Sequence, residues 1–224
     1  MTEVKEIPFI DIHTHNKVKT EGITVFNILN ENNAVADEEN LYYSLGIHPW
    51  YIDDMTVETH YEFIKKYIDN EKVIAIGECG LDRLVKPPYE IQKEILVYQL
   101  QLAEKMNKPL IIHCVRAYEE LIEIKNELKV KQPMIIHGFN SSPHVSDMLI
   151  KAGFYLSFGK ALLKDGSNAA KIITKFPIGR IFLETDDSNR SIIKVYERAA
   201  SLLNIKVEEL KLTIFNNFNK VFIK

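Results

Sequence analysis

The chain has 224 residues, of which 46% are hydrophobic and 26% charged, and its formal net charge is −3. This length suits one large domain or two small ones, and the composition is that of an ordinary folded protein with a sizeable core. The slightly acidic balance argues against an extended nucleic-acid-binding surface but is compatible with a local phosphate pocket.

Cysteine usage and the N-terminus bear on where the protein works. Cys79 and Cys114 are the two cysteines, so no disulfide framework is expected and a reducing compartment fits. The first six residues lack the basic-then-apolar pattern of a secretory signal, and no stretch reaches membrane-spanning length. We therefore expect a cytoplasmic protein without membrane contact, with a monomer as the default.

Eight short apolar runs, each four to seven residues long and mostly apolar on both faces, recur along the chain. They are Phe9–His13, Ile23–Ile28, Tyr42–His48, Val73–Glu78, Leu110–His113, Met134–His137, Phe154–Phe158 and Ile181–Asp186. Strands buried on both faces are typical of a parallel sheet covered by helices.

Helical patterns lie between the later runs. They are Thr56–Asn70, Tyr89–Asn107, Ala117–Leu128, Pro143–Ala152, Asn168–Phe176, Ile192–Leu203 and Val207–Phe218. The segment between His15 and Ile23 is too short for a helix, and Leu29–Leu41 is polar, with one short helical turn at most. The alternation predicts an α/β fold: one domain over residues 1–224, a (β/α)8 TIM-type barrel slightly abbreviated at its first two βα connections.

Histidines and carboxylates collect where these runs end. His13 and His15 are two residues apart, so both side chains leave a strand on one face. Later runs end in His48, Glu78, His113, His137, and Glu184 with Asp186. Because the carboxyl ends of barrel strands converge on one rim, where such enzymes place their active sites, the pattern predicts a shared metal site.

The predicted ligands favour two metal ions. Four imidazoles and two carboxylates suit zinc, manganese, iron or nickel better than calcium or magnesium alone. Six ligands are too many for one tetrahedral zinc that keeps a water position, whereas two ions about 3.5–4 Å apart use them well. Two divalent ions with Glu78, Asp186 and a hydroxide leave about one positive charge, which attracts phosphate. We expect two divalent ions (Zn, Mn, Mg, Fe or Ni) and a hydrolase that uses an activated water.

Six motifs in one order carry a family resemblance. They are Asp11-Ile12-His13-Thr14-His15, Gly46-Ile47-His48-Pro49-Trp50, Gly77-Glu78-Cys79-Gly80-Leu81-Asp82, Ile111-Ile112-His113, His137-Gly138-Phe139 and Glu184-Thr185-Asp186. From about Pro8 to Asp186, and at the closing Asn216-Asn217-Phe218, the chain resembles the TatD family of metal-dependent deoxyribonucleases within the amidohydrolase superfamily. It would be a short variant.

The resemblance implies roles for individual residues. One metal would be bound by His13, His15 and Asp186 and the other by His113 and His137, with Glu78 bridging. The resemblance also implies that His48 contacts the substrate phosphate. The implied reaction is hydrolysis of a phosphodiester in DNA. We expect the substrate to be a DNA end or a small phosphoester. Two alternatives remain: an amidohydrolase-superfamily enzyme for a small amide, lactone or phosphoester, and a catalytically silent, metal-stabilised binding protein.

Three acidic residues have a structural alternative to a functional role. Asp186 is predicted to be a metal ligand and proton acceptor, and the alternative is an N-cap of the next helix. Glu184 either supports the site or contacts substrate, or it forms a salt bridge inside the barrel. Asp11 either orients a ligand imidazole or makes a buried contact at the start of its strand.

Residues just after the strand ends can shape the substrate pocket. Arg116, which we assign to substrate binding, Arg83 and Lys160 can grip phosphate oxygens, and the alternative is a solvated loop charge. Trp50 and Tyr51 either stack on a base or cap the barrel mouth. Strand alternation aims both cysteines away from the metals, towards the layer between strands and helices.

Overall fold

The computed structural model describes residues 6–16, 22–28, 35–52 and 57–223. All eight predicted strands are present in this part of the chain. They are β1 (Phe9–Thr14), β2 (Gly22–Ile28), β3 (Leu41–Leu45), β4 (Val73–Asp82), β5 (Leu110–Val115), β6 (Met134–Ile136), β7 (Tyr155–Phe158) and β8 (Ile181–Leu183).

The strands pair in parallel with their sequence neighbours, in the order β1 to β8. Backbone hydrogen bonds join the two ends of the sheet. The Asp186 N–H donates to the His13 carbonyl at 2.9 Å, and the His15 N–H donates to the Asp186 carbonyl at 3.0 Å. The predicted (β/α)8 barrel is therefore confirmed, and its closing contact joins three of the predicted metal ligands.

Helices alternate with the later strands, as predicted. They are α1 (Val57–Tyr67), α2 (Tyr89–Met106), α3 (Tyr118–Glu127), α4 (Pro143–Lys151), α5 (Asn168–Ile173), α6 (Ile192–Leu203) and α7 (Val207–Phe222). Ser142 caps α4 by accepting from the Val145 N–H, which explains why that helix begins at Pro143. No helix in the described ranges is both long and apolar enough to cross a bilayer.

Several element boundaries differ from the predicted ones. β3 ends at Leu45, so His48 lies three residues beyond it, whereas β4 continues past Glu78 to Asp82. The extension follows from pairing with β5, which continues over Cys79 to Asp82. At Gly80 a Cβ atom would lie 1.8 Å from the His113 carbonyl oxygen, so only glycine fits this approach. The predicted loop 29–41 falls partly on residues 29–34, which lie outside the described residues; residues 35–38 form no helix.

The core lies inside the barrel and between the barrel and its helices. All ten residues of β4 are buried, as a strand covered on both faces requires. Ile95, Leu96 and Leu100 of α2 are buried in the same core. Many of the buried polar residues, among them His13, Glu78 and Glu184, lie near or beyond the carboxyl ends of the strands, which is where the candidate site lies.

Candidate metal centre

Glu78 lies at the centre of the site, and its two carboxylate oxygens face different histidines. Oε2 lies 3.3 Å from Nε2 of His13 and 3.3 Å from Nε2 of His15. Oε1 lies 3.0 Å from Nδ1 of His113 and 2.8 Å from Nε2 of His137. The carboxylate therefore divides the four imidazoles into two pairs, one on each oxygen.

Asp186 stands beside the pair formed by His13 and His15. Its Oδ1 lies 3.8 Å from Nε2 of His13 and 3.7 Å from Nε2 of His15. Ligand atoms bound tetrahedrally to one zinc at about 2.1 Å are about 3.4 Å apart. These side chains are thus spaced as ligands of a common ion would be.

A buried polar atom also fits a metal. His13 is completely buried, yet neither of its ring nitrogens makes a hydrogen bond within the described residues. Leaving such a group unsatisfied costs on the order of 1–3 kcal/mol, and coordination through Nε2 would offset part of that cost. In the described part of the chain, the donor groups close enough to hold an ion are His13–His15–Glu78, His13–His137–Asp186 and His48–Glu78–His113.

The charged groups shift one another's pKa values. Burial alone would raise the pKa of Glu78, but the facing His137, His113 and His13 hold it well below its usual value. Burial alone would lower the pKa of His137, but Glu78 and Glu184 raise it well above its usual value. Since metals bind deprotonated imidazole, a divalent cation would replace protons at this site.

Carboxylates behind His113 and His137 determine which ring nitrogen faces Glu78. Nε2 of His113 lies 3.0 Å from Oδ2 of Asp82, and Nδ1 of His137 lies 3.5 Å from Oε1 of Glu184. A carboxylate oxygen only accepts, so with an ion bound these nitrogens would keep the hydrogen and the nitrogens that face Glu78 would be free to coordinate. Histidine ligands of metals almost always donate the other ring N–H to a carboxylate, a backbone carbonyl or water.

His48 has the opposite arrangement. Its Nδ1 accepts a hydrogen bond from the Trp50 backbone N–H at 3.0 Å, and its Nε2 lies 2.9 Å from Oε1 of Glu78. The neutral ring therefore carries its hydrogen on Nε2, pointing into the site. Burial lowers the pKa of His48 despite the nearby Glu78, which favours this neutral form. In this tautomer the ring is a hydrogen-bond donor and not a metal ligand.

Side chains from neighbouring elements hold the backbone of these residues in place. Oδ1 of Asn27, on β2, accepts the Glu78 backbone N–H at 2.9 Å. Gln99, on α2, accepts from the Ile47 N–H at 2.7 Å and donates to the Ile47 carbonyl at 3.2 Å. The segment beyond the end of β3 is thereby fixed although it has left the sheet, and it presents His48 to the rim.

A cleft of about 550 Å³ opens beside His113 and His137, which we call the second imidazole pair; His13 and His15 are the first. Its walls include His113, His137 and Asp186 from the site, with Arg116 and Tyr118 from the β5 side. Its size is that of a small-molecule pocket. Arg116 is exposed, so its guanidinium can reach a bound anion in this cleft.

The other two cations make ion pairs. Arg83 pairs with Glu120, and its guanidinium lies over the ring of Tyr89 at 4.5 Å. Its guanidinium is therefore already engaged by these two side chains and not by the metal ligands. Lys160 pairs with Asp187, and its Nζ lies 3.7 Å from Oδ2 of Asp186. Of the three predicted anion-binding cations, Arg116 lines the cleft and Lys160 lies beside Asp186.

The structure decides between several of the predicted alternatives. The next long helix, α6, is capped by Ser191, so Asp186 is not its N-cap. Glu184 is fully buried; it accepts the Gly138 N–H at 2.6 Å and faces His137. All six predicted metal ligands lie together, and their roles as ligands stay a prediction. Both cysteines are buried, and Cys79 donates to the Ile111 carbonyl in the barrel wall.

Two supporting residues escaped the sequence analysis. Asp82 ends one of the family motifs but had no role assigned, and Asn27 was not singled out; both are buried and bonded to the site. Strand alternation was the available signal for Asp82, because residues 78, 80 and 82 share one face of an extended β4. For Asn27 the signal was a lone polar residue near the end of an apolar run.

Comparison with known proteins places the chain among metal-dependent hydrolases. The family model described as "TatD related DNase" matches residues 14–223. The uncharacterized metal-dependent hydrolase YabD of Bacillus subtilis is 33% identical over 204 residues, 84% of this chain and 80% of that protein. The putative deoxyribonuclease TATDN3 of Mus musculus is 28% identical over 207 residues, 80% of this chain and 68% of that protein. The crystal structure of YJJV, a TatD homolog from Escherichia coli, has a TM-score of 0.82 at 23% identity, over 96% of this chain and 97% of that one.

Proposed function

The chain belongs to the TatD family of metal-dependent hydrolases, and we propose that it hydrolyses phosphodiester bonds at the ends of DNA strands. The observation that carries this proposal is the division of four imidazoles between the two oxygens of Glu78. Because one imidazole pair faces each oxygen of Glu78, this carboxylate is suited to bridge two metal ions, each bound by one pair. Two ions bound there would supply a water of lowered pKa and polarise a phosphoryl oxygen.

Asp186 is the proton acceptor in this proposal. Burial, and then the negative charge of Glu184, raises the pKa of Asp186 above its usual value. A carboxylate with a higher pKa is a stronger base, so Asp186 is suited to take a proton from the attacking water. Its place beside His13 and His15 lets the same side chain serve as a ligand.

The phosphate contacts come from His48 and Arg116. The Nε2–H of His48 points at the carboxylate that the ligand pairs share, where it can donate to a non-bridging phosphate oxygen. Arg116 lines the neighbouring cleft and can neutralise the phosphate charge. The net charge of −3 and the size of the cleft favour a strand end held locally over a duplex held along its length.

A turnover assay tests the proposal. Purified protein is incubated with a labelled single-stranded oligonucleotide and, separately, with a small phosphoester, an amide and a lactone, each with Zn²⁺, Mn²⁺ or Mg²⁺. We expect shortening of the oligonucleotide from an end, a loss of about a hundredfold or more in Asp186→Asn, and no loss in His144→Ala, whose side chain is exposed on α4. Turnover of a small substrate without cleavage of DNA under any metal would refute the proposal.

A further inference from the structure

Trp50 presents an exposed aromatic ring at the edge of the candidate metal centre. It lies in the short 3-10 turn Pro49–Tyr51, directly after His48, and it is 57% exposed. Its ring centroid is 5.1 Å from that of His48 and 5.8 Å from that of His113, with the ring planes nearly perpendicular in both cases. More than half of this side chain is therefore open to solvent next to the metal ligands, where a planar ligand can reach its ring.

Two hydrogen bonds fix Trp50 to the site. The indole Nε1–H donates to Oδ2 of Asp82 at 2.8 Å, and the backbone N–H donates to Nδ1 of His48 at 3.0 Å. Asp82 is held in turn, because its Oδ1 accepts the Leu84 N–H and its own N–H donates to Gln92. The ring therefore has a set orientation before any ligand arrives, which lowers the entropy cost of stacking a ligand on it.

We propose that Trp50 is a stacking platform for the nucleobase next to the scissile phosphate, so that the site selects a phosphate joined to a planar base. The inference rests on the proposed function for the identity of the substrate. His48 connects the two halves of the ligand, since its Nδ1 is bonded to Trp50 while its Nε2–H points to the expected phosphate position. Every base has a π-face, so stacking here gives affinity for nucleotides with little preference among bases.

Trp50 is the single tryptophan of the chain, so its fluorescence reports on this position alone. The protein with added Zn²⁺ is titrated with thymidine 5′-monophosphate and, separately, with deoxyribose 5-phosphate, which lacks the base. We expect the nucleotide to quench the fluorescence and to bind about tenfold more tightly than the sugar phosphate. Equal binding of the two probes would overturn the proposal.

Variants separate stacking from structural support. By calorimetry, Trp50→Leu is expected to bind both probes equally, whereas Trp50→Phe, which keeps a π-face, retains most of the preference for the nucleotide. Ile178→Ala removes an exposed apolar side chain just before β8, at the opposite end of the barrel, and is expected to leave the preference unchanged. A Trp50→Leu protein that still prefers the nucleotide would overturn the proposal.

Hydrolysis distinguishes failure of this inference from failure of the proposed function. Two oligonucleotides are compared, one with an ordinary and one with an abasic terminal nucleotide. Slower release of the abasic terminus supports stacking. Equal release overturns the stacking proposal while supporting phosphodiester hydrolysis. If neither oligonucleotide is cleaved but thymidine monophosphate quenches Trp50, then the proposed function fails and the stacking site stands.

Discussion

Asp11 on β1 and Thr185, two residues beyond the end of β8, are joined by two hydrogen bonds where the first and last strands of the barrel meet. The Thr185 hydroxyl donates to Oδ2 of Asp11 at 2.6 Å, and the Thr185 N–H donates to Oδ1 at 3.0 Å. Asp11 therefore makes a buried strand contact and does not orient a ligand imidazole. The contact still matters to the site, because it holds His13 beside Asp186.

Removal of this contact should lower both the stability of the fold and the metal affinity of the position formed by His13, His15 and Asp186. Asp11→Ala removes the acceptor of the buried Thr185 N–H, while the Thr185 hydroxyl keeps its bond to Thr14. We therefore expect a loss of about 1–3 kcal/mol in the free energy of unfolding, measured in urea. Burial raises the pKa of Asp11 to about 7 despite the bonds from Thr185, so the neutral Asp11→Asn is the matched variant and should lose less. Native stability in Asp11→Ala would contradict this role.

Mutation of the carboxylates behind His113 and His137 should weaken one metal position selectively. Asp82→Asn and Glu184→Gln each disturb the orientation of one imidazole in the second pair, and we expect metal affinity there to fall about 10- to 100-fold. Titration with a metal chelator of known affinity measures the two binding steps separately. Unchanged affinity of the second step, or an equal fall in both, would count against the assigned orientations.

Loss of an imidazole from the second pair should reduce metal content without unfolding the protein. His113→Ala and His137→Ala are expected to bind less metal by elemental analysis while keeping the circular dichroism of the native protein, because the apolar barrel core does not include them. His144→Ala is the control for loss of an exposed histidine. Global unfolding of either ligand variant would indicate that the metal is structural.

The two arginines that follow β4 and β5 should behave differently. Arg116→Ala removes a cation from the cleft wall, so we expect KM for the oligonucleotide to rise several-fold with kcat less affected. Arg83→Ala serves as the matched control, because that guanidinium is paired with Glu120. Steady-state kinetics of both variants test this, and equal effects in the two would show that the cleft does not hold the phosphate.

The sequence predicted the fold and the members of the site because both depend on local patterns. Short apolar runs separated by helical patterns predict the strands, and the histidines and carboxylates that end six of the eight runs are carried to the same rim. The pattern could not predict which oxygen of Glu78 faces which imidazole pair, because this depends on the tilt and stagger of the closed barrel.

The supporting contacts were harder to predict for a similar reason. Gln99 lies on a helix and Asn27 on a distant strand, and each acts on the backbone of a residue far away in the sequence. The tautomer of His48 depends on the backbone N–H of Trp50, which lies there because the chain turns at Pro49. The spacing of side chains in the sequence does not indicate such contacts.

Whether Glu78 bridges two metal ions can be measured by anomalous diffraction at the zinc edge, from crystals grown with Zn²⁺. We expect two peaks about 3.5–4 Å apart, one on each side of the Glu78 carboxylate. The peak near Oε2 should contact His13, His15 and Asp186, and the peak near Oε1 should contact His113 and His137. A single peak, or two peaks of which either lies beyond the reach of Glu78, would contradict the bridged centre.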